Sequence, residues 1–76
     1  MGPIALHLNR QIKKYERKCK RLVVNAKYSA IAKVHENNPK IFKKSAKYMK
    51  TDKKKYLKYL KKEYILLKKA LPKAEG

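Results

Sequence analysis

Glycine is almost missing from this chain: the two in 76 residues are Gly2 and Gly76. With none between them there is no glycine-rich loop to cradle a phosphate, and neither a phosphate-loop nor a nucleophile-elbow motif occurs. Tryptophan is absent. Cysteine occurs once, as Cys19, so no internal disulfide can form. His7 and His35 stand 28 residues apart, and with a single cysteine they make no zinc spacing. The acids are only Glu16, Glu36, Asp52, Glu63 and Glu75, and no two of them share a clear face for paired acid–base chemistry. No apolar run approaches the roughly 18 residues of a membrane span, and no segment has the pattern of a signal peptide. Gly2 is followed by Leu6 where a myristoylation pattern needs Ser or Thr, and Gly2-Pro3 is assigned no role. These absences leave no catalytic residue, metal site or cofactor to assign, and the expectation is a protein that is not an enzyme.

What is abundant is positive charge. Lys and Arg number 23 against five acids, a formal net charge of +18. All but Arg10, Arg17 and Arg21 of these bases are lysine. Thermophile proteins are also lysine-rich, but they carry comparable glutamate for ion-pair networks, and this chain does not. The imbalance points to a polyanionic partner: nucleic acid, an anionic membrane or an acidic protein. A chain this short is one domain, residues 1–76, that buries only about 60% of its unfolded surface. Self-repulsion weakens it further, although 43% hydrophobic content argues against disorder.

The fold expected is all-α, a small three-helix bundle with a long first helix and a short second, over roughly residues 4–36, 39–50 and 52–71. Asn38 suits an N-cap with Pro39 at the first helical position. Thr51 can cap the last helix, with Asp52 in its positive first turn, and Pro72 ends it. In the first helix Leu8, Ile12, Tyr15, Cys19, Leu22, Ala26 and Ala30 recur at the helical period, with Arg10, Lys13, Lys14, Arg17, Lys20 and Arg21 opposite. After Leu22 a second strip of Val24, Tyr28 and Ile31 appears. It predicts that residues 22–34 are buried on several sides as the central element. Phe42, Ala46 and Met49 make the inner face of the second helix, with Ile41, Ser45 and Tyr48 beside them. In the third, Tyr56, Leu60, Tyr64, Leu67 and Leu71 share one arc, about 80° wide. Cys19, on the apolar stripe, reads as a small hydrophobe in a reducing compartment. His35 reads as a favourable charge at a helix C-terminus.

The candidate site is the outside of the last helix. Lys54, Lys58, Lys61, Lys62 and Lys69 fall opposite its apolar arc, with Ile65 in their midst and no core reason to be there. Lys43 and Lys47 of the second helix and Arg17 and Arg21 of the first extend the basic surface. A surface built for solubility mixes both signs; this one does not. Glu63, at the edge of the inner arc, is expected to pair with a basic residue of the first helix. Tyr48 and Tyr59 lie at stripe edges, where aromatic rings can meet a base.

The segment from His35-Glu36-Asn37-Asn38-Pro39 to Lys53-Lys54-Lys55-Tyr56 resembles the region around the second helix of HMG boxes. The second helix is shorter, the expected tryptophan is absent, and no extended N-terminal strand leads in, so no residue roles are carried over. The reading that follows from the residues is a nucleic-acid-binding protein holding the phosphate backbone with low sequence specificity, DNA slightly favoured over RNA. Lysine is a hydrated point charge, whereas base readout favours Arg, Asn and Gln. It would be cytoplasmic, nucleoid-associated or nuclear. One alternative is a cationic membrane-active toxin or bacteriocin-like protein, which would be secreted. Another is a basic adaptor docking on an acidic protein. Self-repulsion makes a direct prediction: circular dichroism should show a helical protein whose melting temperature rises with added salt, and a salt-insensitive or β-rich spectrum would refute it.

Overall fold

The structure, a computed structural model, describes residues 3–71, with the side chains of residues 6–71. Regular structure among them is entirely helical, as expected, but in four helices: α1 (Pro3–Val24), α2 (Tyr28–Asn37), α3 (Pro39–Thr51) and α4 (Lys53–Ala70). The expected long first helix is two, broken at Asn25, Ala26 and Lys27. Neither glycine nor proline makes the break. Val23, Val24 and Asn25 are three weak helix formers in a row. Asn25 then turns its Nδ2 back to donate to the Arg21 carbonyl at 3.1 Å, an acceptor its own N–H would take in a continuing helix. Lys27 leaves in extended conformation, with φ −71° and ψ 142°.

The break also corrects the reading of the second apolar strip. Val24 is 69% exposed and Tyr28 84% exposed, so residues 22–34 are not the central element. That place belongs to α4, which packs most extensively on α1 and α3 and more lightly on α2. Lys53 of α4 meets Asn9 of α1, Tyr56 meets Glu16, and Glu63 lies near Cys19. Corresponding ends meet, so α1 and α4 run in the same direction. Helices α3 and α4 form an antiparallel hairpin separated by the single residue Asp52.

The core is what this topology allows. Ile12, Cys19, Val34, Tyr56, Leu60, Leu67 and Leu71 are buried, with Leu8, Tyr15, Leu22, Phe42 and Tyr64 among those partly buried against them. Four of the seven buried hydrophobic residues come from the expected arc of α4 and its C-cap. In α3 the expected face is turned. Ser45 is buried, Ala46 is exposed, and Met49 is 46% exposed. A small serine at the seam lets α3 approach α4 closely, with Ile41, Phe42 and Tyr48 half-buried around it. The fold measures 42 × 26 × 15 Å with a radius of gyration of 13.1 Å, above the roughly 11 Å of a compact chain this long. Among the described residues no large side chain is sealed completely, Leu67 at 2% exposed being nearly so.

The helix ends depart from expectation in detail. Asn38 is the N-cap of α3 with Pro39 following, but its Nδ2 donates backwards to the Val34 carbonyl at 3.0 Å and so closes α2. Thr51 ends α3, its Oγ1 donating to the Lys47 carbonyl at 3.0 Å, and Asp52 takes the cap of α4. Asp52 Oδ1 accepts from the Lys55 N–H at 3.2 Å, satisfying one of the orphan donors of the first turn. Leu71 is extended, as a residue before proline prefers; Pro72 itself lies outside the described residues. Leu60→Ala should cost about 2–5 kcal/mol, as buried leucines do. Leu22→Ala, at a half-buried position, should cost less, and Met49→Ala less still. Equal midpoints in urea for all three would show that the core is wrongly placed.

Candidate nucleic-acid interface

The inner arc of α4 fixes what its outside presents. Because Tyr56, Leu60, Leu67 and Leu71 are buried, a helix of about 100° per residue must turn Lys54, Lys58, Lys61, Lys62 and Lys69 away from the core. All five are exposed, and Ile65 among them is 60% exposed. The α4 residues expected to share a face therefore do. Lys43 and Lys47 stand on the side of α3 opposite Ser45, and the long stem of Lys47 brings its Nζ back over the Tyr48 ring at 5.6 Å. Arg17 and Arg21 are on the side of α1 turned away from α4. They line a shallow depression with Arg10, Lys13, Lys14 and Lys18. The structure thus does not bring the two arginines onto the α4 face; they belong to a separate basic surface.

The described acids leave that face bare. Asp52 is committed to its cap. Glu16 accepts a 2.6 Å hydrogen bond from the Tyr56 hydroxyl, joining α1 to α4. Glu36 is exposed on α2. Glu63 is half-buried on the α3–α4 seam, where burial raises its pKa and the Ser45 hydroxyl offsets part of the rise by hydrogen bonding. The neighbour it finds is therefore a serine of α3, in place of the basic partner expected on α1. The cause is geometric: Glu63 sits towards the α3 side of the inner arc, and the bases of α1 point outwards. Burial, reinforced by the charges of Glu63 and Glu16, pushes the Cys19 thiol up to about 11. Burial and the bond to Glu16 likewise raise Tyr56. A thiol held this way stays protonated near neutral pH and is a poor nucleophile.

With so few acids to meet, the lysines lie over tyrosines. Tyr48 of α3 and Tyr59 of α4 stack at 5.9 Å with an interplanar angle of 18°. Lys44 and Lys62 approach the Tyr59 ring at 5.7 and 5.2 Å, and Lys47 and Lys55 the Tyr48 ring at 5.6 and 5.2 Å. On the other flank of α4, Tyr15 and Tyr64 meet edge to face at 5.7 Å. Lys18, Lys61 and Lys68 reach that pair. Lys61 and Lys62, neighbours on the α4 ribbon, thus lean to opposite sides. Lys18, Lys44, Lys55 and Lys68 were not singled out from the sequence, because which lysines reach a ring depends on the packing of two helices.

His35, in the last turn of α2, stacks on Phe42 of α3 at 3.9 Å. Among the described residues no group of three or more His, Cys, Asp or Glu could hold a metal ion. No helix among them is long and apolar enough to cross a membrane. Comparison with family models, curated proteins and solved structures returns no match, so function has to be argued from the surface itself.

A carboxylate whose folded pKa is raised favours the protonated protein. Its contribution to stability is full below the unfolded value, near 4.3, and is lost as pH rises through the folded one. Charged Glu63 therefore weakens the fold at neutral pH. Glu63→Gln should raise the melting temperature at pH 7 and leave it nearly unchanged below about pH 4. A lower melting temperature at pH 7 would show a stabilising ion pair instead.

Proposed function

We propose that this protein is a non-enzymatic nucleic-acid-binding protein that grips the phosphate backbone through the outer face of α4, with little selectivity for sequence. One observation carries the reading. Five exposed lysines share one face of the central helix, and every described acid serves as a cap, is tied to a tyrosine, is half-buried on a seam or lies on another helix. A face with no counter-charge of its own holds counterions, and a polyanion supplies the charge in their place.

The dimensions support it. From Lys54 to Lys69 the ribbon is about 22 Å long at 1.5 Å per residue. One strand of duplex DNA offers a phosphate about every 3.4 Å of axis, so each of the five ammonium groups can meet its own. Lys47, beside Tyr48 on the α3 edge, provides one contact more. Such binding gives affinity and fast association from counterion release. It carries little base information, because lysine has no planar fork to match a base edge. Ile65, in the middle of the ribbon, adds an apolar contact for sugar or base. Arg17 and Arg21 are on the far side of α1, so a ligand seated on α4 does not need them. Duplex DNA is the first ligand to test, and the lone buried Cys19 fits a reducing compartment.

Six phosphate contacts imply a slope of log affinity against log salt near −5 on duplex DNA. Replacing Lys58, Lys61 and Lys62 together by Gln keeps helix propensity almost intact. It should flatten the slope by about two to three and weaken binding alike on every sequence. Arg17→Gln with Arg21→Gln should leave the slope nearly as it was. A folded triple variant with the parent's salt slope would move the binding surface off α4.

A further inference from the structure

We infer that the stacked pair Tyr48–Tyr59, rimmed by Lys44, Lys47, Lys55 and Lys62, is a seat for an unpaired base, and that the preferred ligand is single-stranded nucleic acid. The inference deepens the phosphate-binding reading and rests on it. Its basis is the geometry of the α3–α4 edge. Tyr59 lies about 100° around the helix from Lys58, on the shoulder of the lysine ribbon, and its ring runs nearly parallel to that of Tyr48. Both rings are only half-buried, so the two-ring stack is not sealed in the core. A base laid on such a pair continues a stack that already exists, and only the lysine side chains over the rings have to move. The edge-to-face pair Tyr15–Tyr64 offers no such parallel surface.

The lysines around the pair fit the same ligand. Four ammonium groups from two helices gather within 5.2–5.7 Å of the two ring centroids; the acids nearby are Asp52, committed to the cap of α4, and Glu63, half-buried on the seam. Cation–π contacts at exposed sites are weak, and these four cations also repel one another. A nucleotide satisfies both parts at once: its base stacks on the aromatic surface while its phosphates draw the ammonium groups off the rings. This is the combination by which single strands are held without sequence preference, a basic groove along the backbone and aromatic rings for the bases. In a duplex the bases are already stacked on both sides, and the rings would reach only an end or a bulge. A polyanion without bases would use the lysines and leave the rings idle.

The test compares two fluorescein-labelled chains of about 12 units, the scale of a single-strand site. One is oligothymidylate; the other is an abasic deoxyribose–phosphate chain with the same charge. Anisotropy titrations of the full protein at one salt concentration should show oligothymidylate bound roughly tenfold tighter, the range expected for one stacked base. Salt slopes for the two chains should be alike. Without tryptophan the protein's own emission is tyrosine's, and oligothymidylate should quench it where the abasic chain does not. Tyr59→Leu, and separately Tyr48→Leu, should abolish the preference for bases while keeping abasic affinity. Equal affinity of the unaltered protein for both chains would overturn the base seat and leave the phosphate reading standing, whether or not the variants fold. Retention of the preference in both folded variants would also overturn it. Failure to bind either chain or duplex DNA would overturn the phosphate reading, and the seat with it.

Discussion

Everything in this molecule leans on one side of one helix. The arc of α4 that buries Tyr56, Leu60 and Leu67, continued by Leu71, is the surface on which α1 and α3 meet the fold, and α2 reaches the core chiefly through Val34. Remove that arc and α1 and α3 have almost nothing to hold them to each other. Two polar ties sharpen the arrangement. Tyr56 donates to Glu16, and the Lys53 ammonium donates to Asn9 Oδ1 at 3.3 Å. Both join α1 to the first half of α4 and so fix how far the two helices slide. The same arc sets what the outside of α4 presents, because the orientation that buries it turns the lysine ribbon to solvent.

Shortage of negative charge is the second constraint, and it shapes the surface chemistry. Energetically significant cation–π contacts occur about once per 70–80 residues; here eight lysine–tyrosine approaches fall on four rings. With acids so scarce, the ring faces are the electron-rich groups within reach. Tyr59 and Tyr64 of α4 can serve this way because they sit where the apolar arc gives way to the lysine face. Half of each ring packs inward and the rest is left for an ammonium group.

The sequence made the last helix legible almost completely, since a long segment with one apolar arc and one charged face permits a single orientation. The stripe of α1 was equally plain, with Ile12 and Cys19 buried and Arg10, Arg17 and Arg21 exposed. The break after Val24 was not read, although its trace was visible in the shift of the apolar strip at Leu22. That shift admits two explanations, a helix buried all round or two helices. With no glycine or proline to punctuate it, periodicity alone cannot choose between them. The face of α3 was misread by about one residue because Ser45 is polar. Pattern reading puts this serine only beside the inner face, whereas a helix pressed against a neighbour favours a small side chain at closest approach. The pairing of Tyr48 with Tyr59 depends on that rotation, so the stack lay beyond the sequence even though both residues were marked as edge positions.

Stability and binding draw on the same charges in opposite directions. The lysines of α4 repel one another and the bases of α1 and α3, which lowers the stability of a fold with a small core. Interleaved acids would relieve that repulsion, but they would also neutralise the surface a polyanion needs. The placement of the few acids agrees with the function proposed above. Asp52, Glu16 and Glu63 sit at a helix start or along the seams between helices, where they touch the frame of the fold without masking the outside of α4. A ligand that binds only the folded chain stabilises it by mass action, and the polyanion proposed above would also relieve the repulsion among these lysines. Under the function proposed above, the free protein is the more weakly held of its two states, and a polyanion would provide the counter-charge that the sequence leaves out.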